Sequence, residues 1–127
     1  MIVVTGDGMK FLIVDDSNII RRSISSWLEE NGHEIVAEAT NGEDAIEKFK
    51  EFKPELVTLD ITMPKMNGLD ALKEMLKIKP DATIIIISAL AAQSTALKAL
   101  ELGAASYLTK PIVEEELIEA IDEVLDE

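Results

Sequence analysis

The chain has 127 residues, of which 47% are hydrophobic, and its 25 acidic residues outnumber its 12 lysines and arginines to give a formal net charge of −13. This acidic balance argues against nucleic acid or an anionic membrane as a partner, and no apolar run approaches the roughly twenty residues that membrane insertion requires. Because the chain has no cysteine, disulfides and thiolate metal sites are excluded.

Five short segments rich in β-branched residues are predicted to be strands. Most of them lack polar alternation, so both of their faces are expected to be buried, as in a parallel sheet covered by helices on each side. Residues 1–9 are interpreted as an N-terminal extension, and residues 10–127 as a single domain. The predicted strands are Phe11–Val14, Ile35–Ala37, Leu56–Leu59, Ile84–Ile87 and Tyr107–Leu108.

Five longer segments lie between and after these strands, and their apolar residues recur at helical spacing. Ser17 or Asn18 is suited to cap the first helix, and Gly32 and Gly103 follow the first and fourth helices. The positions predicted to face the core are Ile20, Ile24, Trp27 and Leu28, then Ala45, Ile46, Phe49 and Phe52, then Leu69, Leu72 and Leu76, then Leu97 and Leu100, then Leu117, Ile121, Val124 and Leu125.

A strand and a helix therefore alternate five times, which predicts an α/β fold with right-handed crossovers. We expect a flavodoxin-like, doubly wound, five-stranded parallel sheet of the (βα)5 type with strand order 2-1-3-4-5. In such sheets the functional crevice lies beyond the carboxyl ends of the strands. Candidate functional residues are therefore sought at those ends.

Polar residues follow four of the five predicted strands. Asp15 and Asp16 follow the first strand, Asp60 the third, Ser88 the fourth and Lys110 the fifth. Three crowded carboxylates need a counter-charge, and Mg²⁺ prefers carboxylate oxygens together with water and phosphate oxygens. With a lysine and a hydroxyl to hold the remaining oxygens, this set is suited to phosphoryl transfer, and the central Asp60 is the best candidate for the nucleophile.

The same residues argue against two other functions. A flavodoxin-like redox protein would need a loop rich in Ser, Thr and Gly after the first strand, where this chain has Asp15 and Asp16. A hydrolase that works through an aspartyl phosphate would need room for a substrate domain. His33 follows the helix-ending Gly32 and is expected to be exposed and inert, and therefore not a phosphoryl donor.

Four segments together resemble the receiver domains of two-component response regulators. They are FLIVDDS, LVTLDITMPKMNGLDAL, IIIISAL and GAASYLTKP, and the resemblance runs from Lys10 to Leu125. It is closest in style to stand-alone regulators of the chemotaxis type. The resemblance implies a cytoplasmic phosphorelay protein that catalyses only its own phosphorylation and dephosphorylation and is not a conventional enzyme.

The resemblance also assigns the metal site. Asp60 is similar to the aspartate that becomes phosphorylated. Asp16 would bind Mg²⁺ directly and Asp15 partly through water. The third protein ligand would be the backbone carbonyl of Thr62, and no cofactor other than Mg²⁺ is expected.

The resemblance further implies a switch. Lys110 would pair with the phosphoryl group, Ser88 would move to hydrogen-bond it, and Tyr107 would swing inward in response. Ala89 fits the small residue beside this site, and the bond between Lys110 and Pro111 would be cis. Thr62 and Leu90 occupy the two positions that affect how long the phosphoryl group persists.

The implied partners are a sensor histidine kinase or phosphotransfer protein, and a downstream protein target. The target is expected on the face made by helix 4, strand 5 and helix 5. That face carries four alanines that could admit a partner helix or simply pack inward: Ala91, Ala92, Ala96 and Ala99. A receiver domain cut from a larger regulator is the alternative, although a stand-alone protein is favoured.

Overall fold

Strands and helices alternate along the described chain, as the sequence predicts. The computed structural model describes residues 8–62, 68–89 and 93–125. The strands are β1 (Lys10–Val14), β2 (Glu34–Ala39), β3 (Leu56–Asp60), β4 (Thr83–Ser88) and β5 (Ser106–Thr109). The helices are α1 (Asn18–Glu30), α2 (Gly42–Phe52), α3 (Gly68–Ile78), α4 (Gln93–Leu102) and α5 (Glu114–Leu125).

The five strands form one parallel sheet in the order β2-β1-β3-β4-β5. The flavodoxin-like prediction is confirmed, and each predicted strand is found with ends that extend by one or two residues. Because all strands run in the same direction, Asp60 at the end of β3 and Ser88 at the end of β4 lie on the same edge of the sheet.

The sheet separates two apolar clusters. One packs α2, α3 and α4 against one face of the sheet, and the other packs α1 and α5 against the opposite face. Every residue of β3 is buried, as are four of the five in β1 and five of the six in β4. Burial on both faces, predicted from the missing polar alternation, is therefore confirmed for the three central strands.

The helix boundaries follow the capping residues. Ser17 caps α1, since its hydroxyl accepts a hydrogen bond from the Ile20 backbone N–H at 3.3 Å. Asn41 caps α2 in the same way, through the Asp44 N–H at 2.9 Å. Gly32, at a φ of 86°, turns the chain after α1 in a conformation that favours glycine. No helix in the described ranges is both long and apolar enough to cross a membrane.

Of the two core positions predicted for α4, Leu100 is confirmed, since it packs against the core cluster, and Leu97 is wrong. Leu97 is 53% exposed, whereas Ala96 and Ala99 are fully buried against the sheet. Small side chains let this helix approach strands whose bulky isoleucines already fill the interior, so its large leucine points outward. Ala96 and Ala99 are therefore packing residues and are not open to a partner, while Ala91 and Ala92 lie outside the described residues.

Two further predicted core positions are exposed for a different reason. Phe52 is the last residue of α2, and Leu125 is the last residue of α5. Both side chains are exposed. The apolar stripe of each helix extends past the part of the helix that the sheet covers.

His33 is half-buried, so the expectation that it is exposed is wrong. Its Nδ1 accepts a hydrogen bond from the Met9 backbone N–H at 3.0 Å, and its ring lies edge-on to Phe11 with 5.1 Å between centroids. Burial lowers the pKa of His33 below its ordinary value, although the nearby Asp122 acts in the opposite direction. The neutral ring is thus part of the packing between β1 and β2.

The protonation of His33 should therefore make stability depend on pH. The folded-state pKa is below the unfolded one. The stability contributed by the neutral His33 ring is therefore present above about pH 6.5 and is lost as the pH falls through the folded value. Protonation also removes the acceptor of the Met9 hydrogen bond, which is worth about 1 kcal/mol. Urea unfolding of the native chain and of His33→Asn at several pH values should show a flatter dependence for the variant, and equal slopes would contradict this role.

Candidate functional site

Four strand ends meet at the carboxyl edge of the sheet. Asp15 directly follows β1, Asp60 ends β3, Ser88 ends β4 and Lys110 directly follows β5. The structure brings three of them into direct contact, since Lys110 lies between the carboxylates of Asp15 and Asp60. Ser88 lies on the neighbouring strand end, and its carbonyl accepts a hydrogen bond from the Lys110 N–H at 2.8 Å.

The three predicted acidic residues form one cluster. Asp15, Asp16 and Asp60 each offer a carboxylate oxygen, and these oxygens lie within 4.8 Å of one another. Asp15 and Asp60 are 0% and 1% exposed, whereas Asp16 is exposed. The two buried carboxylates and the exposed Asp16 thus provide three oxygen donors at a spacing that can hold a metal ion.

Short backbone hydrogen bonds fix the direction of the two buried carboxylates. Asp15 Oδ1 accepts from the Ser17 N–H at 2.9 Å, and Asp60 Oδ1 accepts from the Thr62 N–H at 3.0 Å. Each carboxylate thus bonds to the backbone two residues further on, as in an Asx turn. Its other oxygen, Oδ2, is left to point toward the centre of the site.

Lys110 supplies the positive charge in this centre. Its Nζ lies 3.3 Å from Oδ2 of Asp60 and 3.3 Å from Oδ2 of Asp15. The Lys110–Pro111 peptide bond is cis, which confirms an expectation drawn from the sequence resemblance. One lysine therefore bridges two buried carboxylates and leaves part of their negative charge uncompensated.

Burial and the excess of negative charge both shift pKa values in the site. Burial raises the pKa of Asp60, and the neighbouring Asp15 raises it further, while the Thr62 N–H and Lys110 act in the opposite direction. Partial burial acts to lower the pKa of Lys110, but the charges of Asp60 and Asp15 outweigh it and the net pKa is raised. Asp60 is therefore a basic carboxylate held beside a firmly protonated lysine.

Ser88 and Tyr107 occupy the same side of the sheet. Tyr107 pairs with Ile86, and Ser88 pairs with Thr109 two residues later, so the two side chains are diagonal neighbours on β4 and β5. The Ser88 hydroxyl is buried and finds no hydrogen-bond partner among the described residues. Tyr107 is half-buried against the cluster under α2, α3 and α4. Leu90 lies outside the described residues.

Arg21 belongs to the site although the sequence interpretation passed over it. Its guanidinium donates to the Asp15 carbonyl at 2.7 Å and pairs with Glu38 at 3.2 Å. It therefore ties the loop that carries the acid pair to both α1 and β2. In the sequence, the signal for this role is a basic residue one helical turn after the α1 cap, on the side of the helix that faces the loop carrying the acid pair.

Gly68 is the second residue that sequence reasoning missed. Its N–H donates to the Ile61 carbonyl at 3.2 Å, which places the start of α3 against the end of β3. A Cβ atom at this position would lie 2.2 Å from Ile61 Cα and 2.7 Å from the Asp60 carbonyl oxygen. Only glycine fits here, so the approach of α3 to Asp60 depends on it.

Comparisons with known proteins agree with this geometry. The sequence matches the response regulator receiver domain family over residues 11–122. Chemotaxis protein CheY of Thermotoga maritima is 44% identical over 117 residues, and CheY of Bacillus subtilis is 46% identical over 117 residues. Each alignment covers 92% of this chain and 98% of the relative.

One solved structure with a similar fold contains BeF3 and Mg²⁺. It is the complex of CheX and CheY with BeF3 and Mg²⁺ from Borrelia burgdorferi, with a TM-score of 0.88 and 32% sequence identity. The similarity covers 91% of this chain and 88% of that one. The likeness therefore extends over nearly the whole domain.

Proposed function

The chain belongs to the response regulator receiver domain family, and on that premise we propose that Asp60 accepts a phosphoryl group in a Mg²⁺-dependent reaction. As a member of this family the chain is a signalling domain of two-component systems rather than a conventional enzyme. The proposed donor is a sensor histidine kinase or a phosphotransfer protein. Since two relatives of similar length are chemotaxis proteins, we propose a cytoplasmic chemotaxis signal that is read by a downstream protein.

One observation carries the proposal. Asp60 is a buried carboxylate whose Oδ2 lies 3.3 Å from a lysine and whose neighbours include two more aspartates. A structural ion pair would need only one carboxylate for each lysine. A cluster of three carboxylates, two of which share one lysine, is instead suited to hold a metal ion and the oxygens of a transferring phosphoryl group.

The chemistry follows from the positions of these groups. A carboxylate oxygen of Asp60 attacks the phosphorus atom of the donor, the bond from phosphorus to the donor atom breaks, and an acyl phosphate is formed. Lys110 stays protonated and pairs with the new negative charge. The Ser88 hydroxyl, which is buried with no hydrogen-bond partner among the described residues, can donate to a phosphoryl oxygen.

The acid cluster fits Mg²⁺ by the chemistry of its donors, which are all carboxylate oxygens. Asp16 and Asp15 would hold the ion together with Asp60 and the Thr62 carbonyl. When bound, the ion neutralises the oxygens of the group being transferred. The BeF3 and Mg²⁺ in the Borrelia complex support this reading, since they accompany a CheY protein of the same fold.

The proposal is tested with a small phosphodonor such as acetyl phosphate. With Mg²⁺ present, one phosphoryl group per chain should be incorporated, and it should map to the peptide that contains Asp60. Chelation of the metal should suppress the reaction. Labelling that is independent of Mg²⁺, or that maps to another residue, would refute the assignment.

Mg²⁺ should also stabilise the unphosphorylated fold. At a concentration of about 100 times Kd, binding only to the folded state contributes roughly 2.7 kcal/mol. Asp16→Asn should weaken this effect most, because Asp16 is the exposed member of the cluster and makes no ion pair among the described residues. Thermal melts with and without Mg²⁺ measure the shift, with Asp81→Asn in the exposed turn before β4 as a charge-matched comparison.

The output is proposed to run through Ser88 and Tyr107. If Ser88 turns toward a phosphoryl oxygen, space opens on its side of β4, where Tyr107 is the diagonal neighbour. Tyr107 can then move further inward and reshape the face made by α4, β5 and α5. A coupling of about 1–3 kcal/mol between phosphorylation and partner binding is typical of such switches.

Ser88→Ala and Tyr107→Ala should separate phosphorylation from output. Both variants should still be phosphorylated on Asp60, and Ser88→Ala should fold normally because its hydroxyl makes no hydrogen bond among the described residues. Amide resonances of α4, β5 and α5 should shift on phosphorylation in the native chain, and these shifts should shrink in both variants. Full shifts in both variants would place the switch elsewhere, such as the Thr62–Asn67 loop, most of which lies outside the described residues.

A further inference from the structure

A pocket of about 420 Å³ lies at the opposite end of the sheet from Asp60. It is bordered by the C-terminal ends of α2 and α3, and we name it the α2–α3 pocket. Pro54, which precedes β3, lies at one side of it, whereas Asp60 ends that same strand. The pocket is lined by Phe49, Lys50, Lys53, Pro54, Ile78 and Lys79.

The floor of the pocket is apolar and open to solvent on one side. Phe49 and Pro54 are buried beneath it, while Ile78 is 42% exposed at its edge. Phe52, in the same last turn of α2 as Phe49, adds a second large exposed side chain just outside the lining. The apolar surface therefore continues past the pocket and favours an occupant that extends beyond it.

The rim of the pocket is basic in an otherwise acidic chain. Three of its six lining residues are lysines and none is acidic, although the whole chain carries a net charge of −13. Within the described ranges, Lys50, Lys53 and Lys79 form no ion pair, in contrast to Lys48, Lys77 and Lys110. The local charge is therefore available to an anionic partner.

Attraction to helix C-termini explains only part of this arrangement. Lysines at the ends of α2 and α3 do complement the negative ends of the helix dipoles, but the dipoles do not require Ile78 and Phe52 to be exposed beside them. In addition, Lys53 has a left-handed backbone with a φ of 48°, a conformation that favours glycine. A lysine there costs about 1 kcal/mol relative to glycine, which is consistent with a use for its side chain.

We propose that the α2–α3 pocket docks an acidic amphipathic segment of a partner protein. One bulky apolar side chain of the segment would pack on Phe49, Pro54 and Ile78, and flanking carboxylates would pair with the three lysines. The negative charge of the rest of the chain repels an acidic segment, so the pocket is the favoured point of contact. Because β3 separates the pocket from Asp60, this docking is independent of the proposed phosphorylation.

The test uses the full chain and a synthetic helical peptide in which glutamates flank one tryptophan. Amide resonances of the pocket residues should shift on titration, and raised salt should weaken the binding. A Lys53→Gln, Lys79→Gln double variant should lose about tenfold in affinity, which corresponds to about 1.4 kcal/mol. The charge-matched double variant Arg22→Gln, Lys98→Gln, at two exposed positions outside the pocket, should bind as the native chain does.

Two further variants, Lys53→Gly and Asp60→Asn, test the docking of the peptide in the pocket. Lys53→Gly should fold at least as stably as the native chain and yet bind the peptide more weakly, a combination that a purely structural role for Lys53 does not give. Asp60→Asn should bind with unchanged affinity, so that a failure of the proposed function would not be mistaken for a failure of this site. Shifts that map outside the pocket, equal affinity in the double variant, or a dimer of the chain formed through this pocket would each overturn the proposal.

Discussion

Replacing Asp60 by asparagine is expected to abolish phosphorylation and, at the same time, to raise the melting temperature of the metal-free protein. The first effect follows because a neutral amide cannot attack phosphorus as a carboxylate does. Asparagine nevertheless retains an oxygen that can accept the Thr62 N–H, a bond of 3.0 Å in the native site. Labelling by a phosphodonor should therefore fall to background in a chain that is still fully folded.

The second effect follows from the charge of the site. Burial and the neighbouring Asp15 raise the pKa of Asp60, so its contribution to stability declines as the pH rises through the unfolded and then the folded pKa. Asparagine removes this buried charge, and Lys110 keeps its ion pair with Asp15. Thermal melts in a chelator at neutral pH measure the difference.

Asp81→Asn is a suitable control for both effects, because Asp81 is an exposed aspartate before β4, far from the site. It should be phosphorylated normally, and its melting temperature should change little. Stoichiometric labelling of Asp60→Asn would show that another residue is the acceptor. A lower melting temperature for that variant would show that the Asp60 carboxylate stabilises the metal-free fold.

Gly68→Ala should strongly destabilise the fold. The new Cβ would overlap the Ile61 backbone at 2.2 Å, and backbone atoms cannot swing aside as a flexible side chain can. Forcing α3 away from β3 should cost about 3 kcal/mol, near the upper end of overpacking effects. It should also displace the segment that carries Asp60 and slow phosphorylation.

Gly32→Ala provides the matched comparison for this substitution. Gly32 also has a special role, since its φ is 86°, but a Cβ there would meet nothing within 4 Å. Only backbone strain of about 1–2 kcal/mol is expected, and phosphorylation should be unchanged because the residue is remote from the site. Chemical denaturation of both variants gives the two stability changes, and equal values would contradict the steric argument.

The sequence carried enough information for the sheet but less for the packing of individual helices. Strand order and site position follow from the alternation of elements and from polar residues at four strand ends. The outward orientation of Leu97 did not follow, because hydrophobicity favours burying the larger side chain while the space under α4 admits only Ala96 and Ala99. His33 was misjudged for a similar reason, since its place beside Phe11 depends on the pairing of β1 with β2.

Within the site, the charged residues could be predicted from the sequence, whereas the residues that hold them in position could not. Asp15, Asp60 and Lys110 stand out in the sequence because polar residues occur together at four strand ends, although each one alone is more often a cap, a turn or a loop residue. Arg21 acts on a backbone carbonyl and Gly68 acts by lacking a side chain. Both roles depend on distances between separate loops, so the basic residue one turn after the α1 cap is only a weak signal for Arg21, and Gly68 leaves none.

The bridge from Lys110 to the two buried carboxylates also has a consequence during synthesis of the chain. Asp15 emerges from the ribosome after β1, whereas Lys110 emerges only after all five strands. Until then the nascent domain holds its acidic residues without the lysine that opposes them, so the last strand completes both the sheet and its charge balance.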